Sequence, residues 1–150
     1  MDFAAIASAI ALRFDATTIT PPTGYNDVAL STHRLPNAIT SLPTALVFPS
    51  EDVLAYGPGR RSGDLVHPVR FYVEAAADRP RAMDALYAWK SVLIDQVEGN
   101  FDLDQSASGH VTHATITSAG GGPASYGGQD YVALEFSVNV HIVQAISPTT

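Results

Sequence analysis

The sequence predicts an α+β fold: a sheet of about four mainly antiparallel strands with two helices packed on one face, plus two long projecting loops. Three observations carry this expectation. Two segments repeat apolar residues at three- and four-residue steps, two others alternate apolar and polar residues one by one, and stretches rich in glycine and proline lie between the strand segments. At 150 residues the chain has the commonest domain size, so residues 1–150 are expected to form a single domain.

Phe3, Ile6, Ile10 and Phe14 lie on one stripe of a first helix running from about Asp2 to Phe14, with Asp2 placed where the helix dipole favours negative charge. Asp15 to Pro43 carries four prolines and no sustained period, which predicts loop with a short extended piece. Thr44 to Phe48, closed by Pro43 and Pro49, has the length of a strand. Ser50 to Asp64 contains Gly57, Pro58, Gly59 and Gly63 and predicts a first projecting loop. From Leu65 to Ala75 the period becomes two, with Val69, Phe71 and Val73 opposite Arg70, Tyr72 and Glu74. Asp78-Arg79-Pro80 supplies a capping carboxylate and a first-turn proline for a second helix. Met83, Leu86, Tyr87, Lys90, Leu93, Ile94 and Val97 follow helical spacing along its main stripe, with Trp89 beside it at the edge of the core and Gly99 as the stop. His110 to Ser118 and Tyr131 to Gln144 predict two further strands, and Ala119 to Asp130, with five glycines, a second projecting loop. Tyr131, Glu135, Asn139 and His141 would line the far face of the sheet, turned to water or to a neighbouring subunit.

Composition narrows the function classes. A hydrophobic content of 46% supports a packed core, and a net charge of -7 with a single lysine, Lys90, gives no grip on a phosphate backbone. Without cysteine there is no disulfide, thiolate nucleophile or sulfur-ligated metal. The apolar start, Met1 to Leu12, lacks the preceding positive charge of a secretory signal, since Asp2 comes first and Arg13 only afterwards. No stretch approaches the ~20 apolar residues of a membrane-spanning helix. A soluble cytoplasmic product is the expectation.

The chemical motifs fail on spacing. His110 and His113, three apart on a strand, point to opposite faces and do not chelate one ion. Ser125 lies one residue too far from Gly122 for a nucleophile elbow, and the glycines at 120–122 and 127–128 fit no phosphate loop. Asp102 and Asp104 lack the remaining ligands of a calcium loop. His141 shares a face with Glu135 and Asn139, but no further acid or nucleophile can be placed beside it from sequence. No catalytic residue, metal ligand or cofactor is assigned. Arg60 and Arg61, adjacent cations in an acidic chain, suit either a solvated loop tip or an acidic surface on a partner or a second copy.

The layout resembles the tail terminator (tail completion) proteins of long-tailed bacteriophages, the lambda minor tail protein U type. The resemblance spans nearly the whole chain: the N-terminal amphipathic helix, the segments Leu42 to Pro49 and Val69 to Val73, the helix after Asp78-Arg79-Pro80, and Tyr126 to Tyr131 leading into an alternating strand. It implies a homohexameric ring that caps the tail-tube protein, halts tube polymerisation and meets the head connector, while DNA passes through without specific binding. It also implies a virion protein of the tail or neck, assembled in the bacterial cytoplasm, with no enzyme activity, no cofactor and no membrane partner. Arg60, Arg61, Tyr126, Glu135, Asn139 and His141 are then the candidate interface residues. Another head-to-tail joining protein, a stopper or adaptor, fits the same pattern. A different class, a small hydrolase or ligand-binding domain around Glu135 and His141, remains the alternative at the level of residues.

Overall fold

Both stretches expected to project as loops are instead strands joined by two-residue turns. The computed structural model of the chain describes residues 2–98 and 111–145. Its elements run α1 (Phe3–Leu12), β1 (Leu30–Thr32), β2 (Thr44–Val47), β3 (Glu51–Gly57), β4 (Arg60–Ala75), α2 (Arg79–Leu93), β5 (Val111–Tyr126) and β6 (Gln129–Ala145), and one π-helical turn, Ile94–Glu98, extends α2. Gly99, Asp102, Asp104 and His110 lie outside the described residues. Among the described residues strand outweighs helix by 47% to 23%, which corrects the expected four-stranded sheet with helices on one face. The fold is a strand-rich, six-stranded mixed sheet in the order β1-β2-β4-β6-β5, with β3 added beside the first half of β4. β1 and β2 are parallel and every other pair is antiparallel.

The turns explain the correction. At the β3–β4 hairpin Gly57 pairs with Arg60, so only Pro58 and Gly59 make the turn. Proline fixes a negative φ at the first position and Gly59 takes φ +71° at the second, the combination a type II turn requires. At the β5–β6 hairpin Tyr126 pairs with Gln129, and Gly127 and Gly128 both have positive φ, as in a type I′ turn. The glycines at 120–122 sit inside β5, where the register slips by one residue between Ser118 and Gly120. They are strand residues because β6 supplies the ladder, although their own propensity for strand is poor.

Asp2 caps α1 by accepting from the Ala5 amide at 3.0 Å, and Asp78 caps α2 by accepting from Arg81 at 3.3 Å. α1 buries Ile6, Ala7, Ile10 and Ala11 but leaves Phe3 41% exposed. In α2 the buried residues are Ala82, Ala85, Leu86, Trp89 and Leu93, while Met83 and Tyr87 face outward. The expected stripe is thus rotated, and Trp89 moves from the core edge to its centre, 5.0 Å from the Phe71 ring. These residues join Leu65, Val69 and Phe71 of β4 and alternate residues of β6, from Val132 to Ile142, in the main core.

The far face of the sheet divides in two. Near the β5–β6 turn, Leu46, Tyr72, Tyr131 and Ala133 form a second apolar cluster, against which Ile39, Leu42 and Tyr126 pack. Tyr131, expected at a water- or subunit-facing surface, is therefore buried by its own chain. Toward the β3–β4 turn the same face is polar and half-exposed.

Candidate functional site

The polar half of the sheet is built from strand register. Antiparallel pairing sets Arg70 opposite Glu135 and Asp64 opposite His141, and β5 brings His113 to the other side of His141. Side chains of such pairs share one face at contact distance. Arg70 Nε lies 3.0 Å from Glu135 Oε1, with both side chains more than a third exposed. His141 Nδ1 lies 3.0 Å from Asp64 Oδ1, and its ring stacks on His113 at a centroid distance of 4.9 Å and 20° between planes. The acid that sequence could not place beside His141 is Asp64. It was hidden at the end of a presumed loop, and only the β4–β6 register reveals it.

The candidate interface residues do not form one patch. Arg60 is exposed at the hairpin tip. Arg61, one residue on, faces the opposite side of β4, donates to Gln144 Oε1, and has a buried Nε with no partner among the described residues. The two adjacent cations therefore serve different surroundings. Tyr126 sits at the far end of the sheet, where its hydroxyl donates to the Pro36 carbonyl and its ring lies edge-on to Tyr72. Glu135, Asn139 and His141 share the polar face, and the Asn139 Oδ1 is buried without a partner among the described residues. Among those residues no group of three or more His, Asp or Glu side chains is placed to hold a metal ion.

Two features escaped the sequence reading. The first is β3 as an edge strand. It pairs with β4 alone, and it exposes Val53 by 71% and Tyr56 by 69%. The apolar run from Val53 to Tyr56 keeps no alternation that would stand out against the glycine and proline that follow. The second is His67, the one buried histidine among the described residues, at 4% exposure on the core side of β4. Its Nδ1 lies 2.9 Å from the Phe48 carbonyl. Burial pushes its pKa below the ordinary 6.5, outweighing the opposing effects of the Phe48 carbonyl and the nearby Asp52.

That shift sets a pH dependence. With the folded pKa below the unfolded value, the unfolded chain takes up the proton first as pH falls. His67 then contributes a loss of stability that begins near pH 6.5 and grows down to the folded pKa, at up to about 1.4 kcal/mol per pH unit. His67→Gln, which keeps a donor for the Phe48 carbonyl, should flatten the pH dependence of urea unfolding between about pH 7 and 5. An unchanged slope would place the acid sensitivity elsewhere.

No protein-family model matches the chain, and no curated protein matches it.

Proposed function

We propose that the chain is a structural virion subunit that forms a homohexameric ring on the tail tube of a long-tailed bacteriophage, stops tube growth and joins the tail to the head connector. The observation that carries this reading is β3. A seven-residue edge strand offers a row of backbone donors and acceptors, and proteins that stay monomeric blunt such edges with lysine, proline or a covering element. Here Glu51 and Asp52 guard one end, and the rest presents Val53 to one side and Tyr56 to the other. A surface of this kind suits burial against a neighbouring copy, and head-to-tail repetition of one such contact closes a ring when the rotation allows. The whole-chain resemblance to tail terminators supplies the specific assembly, with tail-tube protein on one face, connector on the other and DNA passing through the opening.

Light scattering over a concentration series, followed by negative-stain imaging, tests the proposal. The expected species is a six-fold ring of the 15.8-kDa chain. The double substitution Val53→Asp, Tyr56→Asp should release monomers while shifting stability by no more than about 0.5 kcal/mol per site, as for other exposed positions. A chain that stays monomeric at every concentration and does not bind the ends of tail tubes would overturn the reading.

A further inference from the structure

A cavity of about 340 Å³ opens between the first turns of α1, the end of β2 and the base of the β3–β4 hairpin. Its lining is apolar along Phe3, Ala4, Ala7, Val47 and Pro49, with His33, Ser50, Asp52 and His67 as its polar side chains. We propose that it binds a small primary amine carrying a compact apolar group, held as the ammonium ion.

The polar lining determines the chemistry. A carbonyl oxygen only accepts hydrogen bonds, so the contact with Phe48 assigns the proton of His67 to Nδ1 and leaves the lone pair on Nε2. Among the described residues no donor is placed on Nε2. Burial keeps the ring neutral near pH 7, which preserves that acceptor. Ser50 Oγ donates to Asp52 Oδ1 at 2.5 Å, which steadies a carboxylate that forms no ion pair among the described residues. Two acceptors, one of them a carboxylate, thus line the same largely apolar slot. An ammonium group has three N–H donors and the complementary charge, enough for both acceptors and one water. A carboxylate or phosphate would meet Asp52 with like charge. The net charge of -7 adds a field that draws cations toward the molecule. The volume lies at the small end of the range of ligand sites and leaves room for a single ring or a short alkyl chain.

The test is an NMR titration of the full chain near pH 7.5 with three probes of one shape: benzylamine, benzyl alcohol and phenylacetate. Benzylamine should give saturable shifts at the methyls of Ala4, Ala7 and Val47 and at the His67 ring. The alcohol should bind at least tenfold more weakly, and phenylacetate should produce no shift at these positions. Asp52→Asn, at an exposed strand position where the fold is insensitive, should weaken the amine at least tenfold, and Ala4→Leu should block the slot. Equal binding of amine and alcohol, full retention of amine binding in Asp52→Asn, or no saturable shift up to about 20 mM would each overturn the proposal. None of these outcomes depends on whether the chain forms a ring.

Discussion

Gly63→Ala is expected to strip β3 from the sheet, although it adds a single methyl group. A Cβ at Gly63 would lie 2.0 Å from the Val53 carbonyl oxygen and 2.9 Å from the Leu54 Cα. Both are backbone atoms, so no side-chain rotation relieves the clash, and the strands must separate. The loss includes the β3–β4 ladder and the contact of Leu54 with the main core. A cost of at least about 3 kcal/mol follows, at the upper end of overpacking penalties. Gly57→Ala is the matched control. Its Cβ would meet nothing within 4 Å, so its effect should stay within about 1 kcal/mol. Urea unfolding and amide exchange at Val53 to Tyr56 read the difference. Should the two alanine variants unfold alike, β3 is not held where the structure places it. Because the proposed assembly surface lies on β3, Gly63→Ala should also abolish the ring at temperatures where the remaining fold persists.

Trp89→Ala should be as damaging for a different reason. The indole is 1% exposed and packs 5.0 Å from the Phe71 ring across the interface between α2 and β4. Truncating a buried tryptophan leaves a cavity that costs about 3–5 kcal/mol, which lowers the melting temperature of a chain this size by on the order of 10 °C. Tyr87→Ala, two residues earlier at 63% exposure, should change stability by less than about 0.5 kcal/mol. Calorimetry on this pair checks the rotational phase of α2. The reverse order of effects would restore the stripe through Met83 and Tyr87 that the sequence pattern favoured.

Local signals were legible in the sequence and pairings were not. Asp78 with Pro80 marked the start of α2, and strict alternation from Tyr131 marked β6, because caps and periods depend on near neighbours in the chain. The phase of α2 was misjudged because Ala82 and Ala85 carry too little apolar surface to compete with Met83 and Tyr87 in a hydrophobicity count. Packing inverts that order: the small Ala82 and Ala85 let the helix approach the sheet and share the buried face with Leu86, Trp89 and Leu93, while Met83 and Tyr87 stay outside. β3 and the glycine-rich part of β5 were missed because each is a strand only by virtue of a partner. The same holds for the polar face, where the period of β6 placed Glu135, Asn139 and His141 together, while Arg70 and Asp64 became their partners through register alone. His67 gave no signal, since Val66-His67-Pro68 resembles the entry to an edge strand more than a core position.

The central pair of strands also sets the order of events during synthesis. β4 meets β6 along nearly its whole length, with Ala75 opposite Tyr131 and Arg60 opposite Ala145, separations of 56 and 85 residues. Contacts this distant in sequence slow folding, because a long loop must close before the contacts that stabilise it can form. While β6 is still inside the ribosome, β4 lacks its main neighbour and the core lacks Leu134, Phe136, Val138, Val140 and Ile142. A nascent chain at this stage can pair β3 with β4, but the core on which the hairpin packs is unfinished. In the proposed ring, a chain would therefore join through β3 only once β6 has paired with β4 and closed the core.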